Sequence, residues 1–243
     1  MKILALDTSN RPLSVAALED DKLLAQTTLN MAKKHSATLM PVVSDILAKA
    51  QIKPKELDRI VVAKGPGSYT GLRIGVTAAK TLAYTLNKDL VGVSSLATLA
   101  ANKIDVADKL LVPIFDARRE NVFAGVYRSE NGKLVEVLPD QHLSIVKLCE
   151  FLKDKNVCLI GEDAKKYRAE FGEALDQDKY SFSDLKDDYP SAYVLGLLGK
   201  DKAPEDVLTF TPDYLRLTQA EVQWLEKNPG KDQIDNDDYV EKV

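Results

Sequence analysis

Short apolar runs separated by turn-forming residues fill the first thirty positions of the chain. Residues 2–7, 13–18 and 23–29 each predict a strand, because each is a short apolar run bounded by polar residues. Polar turn residues follow position 7, and a pair of aspartates at 20–21 separates the next two runs. The chain is therefore predicted to open with three antiparallel strands.

Helical spacing replaces this pattern near residue 36. Apolar side chains recur at intervals of three and four from Leu39 to Ala50, which predicts a helix with one buried face. Pro41 lacks a backbone N–H and is tolerated only in the first turn of a helix. The helix is therefore predicted to begin near Ser36 or Thr38, either of which is a good N-cap residue.

The rest of the chain repeats this arrangement of strands followed by alternation with helices. A strand over 59–63, a helix ending near residue 86 and a strand over 90–93 complete a β-β-β-α-β-α-β order. A second block begins near residue 105, with predicted strands at 110–115, 122–127, 134–138 and 157–160 and a helix at 146–152. Two similar α/β halves are the layout of the actin-like ATPase superfold. The predicted domains are residues 1–104 and 105–217, followed by a C-terminal helix or mobile acidic tail over 218–243.

Composition narrows the class of protein without giving its function. Hydrophobic residues make up 45% of the chain and charged residues 29%, which is ordinary for a globular protein. The net charge of -4 argues against a protein that holds nucleic acid alone, since neutralised phosphates supply most of that affinity. Lys33-Lys34 and Arg118-Arg119 are the adjacent basic pairs near candidate site segments.

Cellular location follows from the apolar runs and the cysteines. The N-terminal apolar run is too short for a signal peptide, and no run reaches the roughly 20 residues of a membrane span. Cys149 and Cys158 match no zinc or disulfide framework, so two free thiols are expected. The protein is predicted to be cytoplasmic, with no membrane partner.

The segment from Gly65 to Gly75, GPGSYTGLRIG, joins the fourth predicted strand to the second helix. Backbone N–H groups converge at such a helix start, and this geometry binds anions. The segment matches neither the Walker A spacing nor the GxGxxG spacing. Spacing alone therefore favours a tight strand-to-helix crossing over a phosphate cradle.

Small residues recur at every fourth position of this second helix, at Gly71, Gly75, Ala79 and Ala83. Each glycine inside a helix costs about 1 kcal/mol relative to alanine, so a close approach by another element is expected to offset that cost. Leu72 and Val76 form an apolar row beside it. Two interpretations stay open, namely packing on the chain's own sheet and a helix–helix interface with another chain.

The GPGSYTGLRIG segment resembles the hallmark of the TsaB family, also called YeaZ, almost letter for letter. Five further segments resemble the same family: Asp7-Thr8-Ser9, His35-Ser36, Asp116-Ala117-Arg118-Arg119, Tyr189-Pro190-Ser191-Ala192 and Pro212-Asp213-Tyr214-Leu215-Arg216. The resemblance implies a non-catalytic subunit that activates a TsaD-type enzyme. That enzyme transfers threonylcarbamoyl to the adenosine 3′ of the anticodon in tRNAs that read ANN codons.

The resemblance also implies the partners of the chain. A TsaD-type catalytic subunit and a TsaE-type ATPase are expected, and tRNA is contacted only through the complex. A homodimer through the same helices is a further possibility. The predicted partner interface comprises Leu39, Val43, Tyr69, Thr70, Gly71, Leu72, Gly75, Val76, Ala79 and Ala83.

Residues suited to metal chemistry are sparse in this sequence. TsaD-type chains carry a metal-binding His-x-x-x-His on the first helix, whereas here His35 is followed four positions later by Leu39. His142 lies in the other block. A single imidazole cannot hold a catalytic metal, so no metal site is predicted.

The strand ends also lack the glycines that would bring backbone close to phosphates. Asp7-Thr8-Ser9 has no glycine, and Arg118 follows Asp116 at the equivalent place in the second block. Gly161-Glu162-Asp163 places two carboxylates where a nucleotide needs a neutral surface. Turn capping is expected at Asp7 and Asp116, and no catalytic residue or cofactor is predicted. The alternatives are a free-standing ATPase, sugar-type kinase or peptidase of the same superfold, or an independent homodimer.

Overall fold

The computed structural model describes residues 1–30 and 35–216, which form two α/β halves. The elements of the first half are β1 (Lys2–Asp7), β2 (Leu13–Glu19), β3 (Lys22–Leu29), α1 (His35–Lys49), β4 (Arg59–Gly65), α2 (Tyr69–Leu86), β5 (Asp89–Ser94) and α3 (Ser95–Ala101). The elements that follow are β6 (Leu110–Asp116), β7 (Asn121–Glu130), β8 (Lys133–Ser144), α4 (Ile145–Leu152), β9 (Val157–Ile160), α5 (Arg168–Ala174), β10 (Tyr180–Phe182) and α6 (Ala192–Gly199). The predicted tail at 218–243 and the Lys33-Lys34 pair lie outside the described residues.

Each half is built on a five-stranded sheet with the same topology. The strand orders are β3-β2-β1-β4-β5 and β10-β9-β6-β7-β8, which are equivalent when one is read in reverse. In both halves three strands form an antiparallel meander, and the first of them pairs in parallel with a fourth strand. This repeat confirms the predicted fold class of two similar halves of the actin-like ATPase superfold.

Helices cover both faces of the first sheet. Helices α1 and α2 bury side chains such as Val43 and Val76 against one face, which carries Leu4 and Val62. The other face carries Ile3 and Val61 and is covered by α6. The predicted second domain of residues 105–217 therefore contributes a helix to the core of the first half.

Most predicted strand and helix positions agree with the structure, and the start of α1 is the informative difference. The helix begins at His35, so Pro41 lies in its second turn. The sequence had predicted Pro41 in the first turn. Pro41 is tolerated there because it is exposed, where water satisfies the carbonyl that loses its N–H partner. Helix α3 was not predicted, since its seven residues are too few to establish helical spacing.

Candidate functional site

The segment from Gly65 to Ser68 is a tight crossing between β4 and α2. A Cβ on Gly65, whose φ is +126°, would lie 2.4 Å from the carbonyl oxygen of Asp213. A Cβ on Gly67 would lie 2.1 Å from the carbonyl oxygen of Ser9. The Ser68 N–H donates to that same oxygen at 2.7 Å, and the Ser68 hydroxyl caps α2 by accepting from the N–H of Gly71. These close backbone approaches confirm the crossing interpretation, and the N–H groups of Ser68 and Gly71 already have internal acceptors.

The row of small residues on α2 faces the chain's own core. A Cβ on Gly71 would lie 2.1 Å from the Thr8 carbonyl oxygen, and one on Gly75 would lie 2.3 Å from Thr8 Oγ1. Thr8 Oγ1 in turn donates a 2.8 Å hydrogen bond to the Gly71 carbonyl oxygen. The glycines are therefore explained by the close approach of α2 to the turn after β1.

This packing corrects most of the predicted partner interface. The buried residues among those predicted are Leu39, Val43, Gly71, Leu72, Gly75, Val76, Ala79 and Ala83. Because they are buried inside the chain, these residues cannot form an outer contact face, apart from Leu39, which also forms part of the floor of a groove. Tyr69 and Thr70 are exposed as an interface requires.

An open groove runs between the outer faces of α1 and α2 and has a volume of about 680 Å³. Its lining comprises Ser36, Leu39, Met40, Tyr69, Thr70, Arg73, Ile74, Thr77, Ala78, Thr81 and Leu82. Met40 is 45% exposed and Tyr69 is 42% exposed. Most of this lining is apolar, and Arg73 is its ionisable side chain besides the Tyr69 phenol. We call this surface the α1/α2 groove.

The sequence placed the candidate surface on α1 and α2 but did not indicate the outward row of α2. Ile74, Ala78 and Leu82 recur every four residues one position before the row of Gly75, Ala79 and Ala83, so both rows have the spacing of one helix face. The larger side chains of the outward row were the available signal. Close packing of α2 on the rest of the chain requires small residues on its inner row, so the row with the larger side chains faces outward.

A cleft of about 580 Å³ separates the two halves. Its walls include the first residues of α2, the end of β6 and the segment Asp213–Arg216. In the turn after β1, the buried carboxylate of Asp7 accepts hydrogen bonds from the Ser9 N–H at 2.8 Å and the Ser9 hydroxyl at 2.7 Å. Burial raises the pKa of Asp7 above its ordinary value. The expected capping role of Asp7 is confirmed.

Asp116 caps the corresponding turn in the second half. Its Oδ1 accepts from the Arg118 N–H at 2.7 Å and from the Tyr167 hydroxyl at 3.1 Å. Burial opposes ionisation, but these bonds and the ammonium of Lys166 hold the pKa of Asp116 below its ordinary value. Asp163 accepts from the Asp116 N–H at 3.0 Å and pairs with Lys166 at 2.7 Å. Protein carboxylates therefore occupy the donors that a phosphate at this turn would need.

Within the described part of the chain, the histidines and cysteines do not come together to form a metal-binding group. His35 Nε2 lies 3.0 Å from the Asn10 carbonyl oxygen, while the His142 ring lies beside the Phe123 ring in the other half, with the two planes tilted by 56°. Among residues 1–30 and 35–216, no group of three or more His, Cys, Asp or Glu side chains could hold a metal ion. Both cysteines are buried free thiols, as expected, and burial raises the pKa of Cys149 to about 11. No helix in the described ranges is long and apolar enough to cross a membrane.

Comparisons with known proteins agree with these features. Residues 22–224 match the family model of TsaD, described as tRNA N6-adenosine threonylcarbamoyltransferase. A Bacillus subtilis protein described as tRNA threonylcarbamoyladenosine biosynthesis protein TsaB is 43% identical over 93% of this chain and 99% of its own length. A Buchnera aphidicola protein with the same description is 30% identical over 77% of this chain and 91% of its own length. A solved structure described as YeaZ from Pseudomonas aeruginosa has a TM-score of 0.72 and 25% identity, covering 88% of this chain and 99% of that one.

Proposed function

Because the chain belongs to the TsaB family, also called YeaZ, we propose that it serves tRNA threonylcarbamoyladenosine biosynthesis as a non-catalytic subunit. It activates a TsaD-type enzyme that transfers threonylcarbamoyl to the adenosine 3′ of the anticodon in tRNAs reading ANN codons. It acts in the cytoplasm and meets tRNA only through the complex. The observation that carries the proposal is the open α1/α2 groove.

The groove has the character of a protein contact surface. Met40 and Tyr69 stand exposed beside the half-buried Ile74, Ala78 and Leu82, so the apolar side chains are contiguous. Contiguous exposed apolar surface on a folded domain marks an interaction site, because covering it removes that area from water. The apolar lining and the sparse charge suit a stable interface better than a transient polar one.

A TsaD-type chain is the occupant that we propose for this groove. The TsaD family model matches residues 22–224 of this chain, a range that includes both α1 and α2. A TsaD-type chain is therefore expected to carry a similar helix pair. Two similar helix pairs can pack face to face about an approximate two-fold axis. A second copy of this chain would use the same groove, so a homodimer would compete with the heterodimer.

Internal hydrogen bonds at the turns beside the cleft support a role without catalysis. Ser68 and Ser9 satisfy donors at the start of α2, while Asp163 and Lys166 occupy the turn around Asp116. A phosphate bound at these particular groups would have to displace their internal partners, and each displaced buried group would lose a hydrogen bond. In this proposal a TsaE-type ATPase supplies the nucleotide chemistry and the TsaD-type subunit supplies the transfer.

Sedimentation velocity with the TsaD-type protein from the same organism tests the proposed pairing. We expect a species of one copy of each chain, with a dissociation constant of about 1 μM or tighter, as a largely apolar interface allows. Addition of the TsaD-type protein should also deplete any homodimer of this chain. Independent migration of the two proteins at high concentration would contradict the proposed partner.

A further inference from the structure

The segment over residues 203–216, which we call the strap, returns from α6 across the first half. Its Glu205 N–H donates to the Leu90 carbonyl oxygen at 2.8 Å, at the edge of the first sheet. The ammonium of Lys80 on α2 donates to the Phe210 carbonyl oxygen at 2.7 Å, and the Phe210 ring is buried in the core under α2. The strap is therefore anchored to β5 and α2 along its length.

The anchoring continues to the crossing between β4 and α2. The Asp213 N–H donates to the Lys64 carbonyl oxygen at 2.8 Å, and the two side chains form an ion pair at 3.1 Å. The absence of a side chain at Gly65 lets the Asp213 backbone approach the crossing closely. Movement of the crossing would therefore be transmitted to the end of the strap.

The last two contacts of the strap reach α2 and the second half. The Tyr214 ring lies against the Tyr69 ring, with centroids 4.7 Å apart and planes tilted by 33°. Two residues later, Nη1 of Arg216 donates a 2.8 Å hydrogen bond to the carbonyl oxygen of Ala117. Ala117 follows β6 directly and so belongs to the second half.

Tyr69 lies at the boundary of two cavities. It lines the α1/α2 groove on one side and the cleft between the halves on the other. Arg73 fixes its position, because Nη1 of Arg73 donates to the Tyr69 hydroxyl at 3.0 Å. A partner that fills the groove must therefore touch a side chain that stacks on the strap.

We propose that the strap couples occupation of the α1/α2 groove to the spacing of the two halves across the cleft. A docked partner removes water from the Tyr69–Tyr214 pair, which strengthens that contact and restricts the strap. The restricted strap then holds Arg216 on Ala117 and narrows the range of cleft widths. This inference rests on the proposed function, since it needs a partner in the groove.

Distance measurements between spin labels on the two halves test this coupling. Thr85 on α2 and Glu150 on α4 are exposed and lie outside the groove lining, so Thr85→Cys and Glu150→Cys provide labelling sites. The native thiols Cys149 and Cys158 are buried, which favours labelling at the introduced positions. Addition of the TsaD-type subunit is expected to reduce the width of the distance distribution by about half, because the halves shift from many populated arrangements to one.

Variants of the strap provide the controls. Arg216→Met removes the bond to Ala117 and should abolish the narrowing while changing partner affinity less than about threefold. Arg128→Met changes an exposed arginine that pairs with Glu130. This variant should show the same narrowing of the label-to-label distance distribution as the parent protein. An unchanged distribution in a parent that binds its partner would overturn the coupling and leave the proposed function standing. The coupling would also be overturned if the distance distribution of Arg216→Met narrowed as much as that of the parent. Failure of the partner to bind would overturn both proposals.

Discussion

Replacement of Gly75 by leucine is expected to destabilise the fold by about 3 kcal/mol or more, the upper range for overpacked cores. The first added carbon would already lie 2.3 Å from Thr8 Oγ1. Thr8 cannot easily move away, since its hydroxyl is held by the Gly71 carbonyl oxygen and its side chain is buried. Urea denaturation followed by circular dichroism measures the loss in the free energy of unfolding.

Thr85→Leu is the matched control for this prediction. Thr85 lies on the same helix, is exposed and faces away from the sheet, so the same side chain meets no close neighbour there. Its effect should stay within about 0.5 kcal/mol, as at ordinary surface positions. Native stability in Gly75→Leu would mean that α2 does not pack closely on the turn after β1.

Thr77→Arg and Met40→Arg are each expected to weaken binding of the TsaD-type subunit about 100-fold or more, because each buries an unpaired charge in the interface. Both side chains line the α1/α2 groove and are exposed in the free chain. The free protein should therefore keep its stability within about 0.5 kcal/mol. Titration calorimetry gives the affinity, and urea denaturation verifies the fold.

Val146→Arg introduces the same charge at an exposed position of α4, in the second half and outside the groove lining. It should bind the partner as the native chain does. If all three variants bound with unchanged affinity, the partner would have to dock elsewhere on the chain. If all three weakened binding alike, net charge and not the groove would explain the effect.

The fold and the family were accessible from sequence because they depend on short-range patterns. Strand alternation, turn residues and the GPGSYTGLRIG segment each lie within a dozen positions of the chain. The capping roles of Asp7 and Asp116 were predictable for the same reason, since each carboxylate accepts from an N–H two residues later.

The orientation of α2 was not accessible in the same way. Two rows with equal spacing run along this helix, and periodicity does not tell which of them faces the sheet. The deciding contact joins Gly75 to Thr8, 67 positions earlier in the sequence. The strap is a similar case, because its contacts with Tyr69 and Ala117 join distant positions without a periodic pattern.

Reconstituted modification of an ANN-reading tRNA tests whether this chain activates a TsaD-type enzyme. The reaction contains the TsaD-type and TsaE-type proteins and the enzyme that forms the threonylcarbamoyl adenylate, with this chain either present or omitted. Modification is expected only when this chain is present, and none is expected when this chain replaces the TsaD-type protein. Substantial transfer by this chain without the TsaD-type protein, or an unchanged rate when this chain is omitted, would contradict the proposed function.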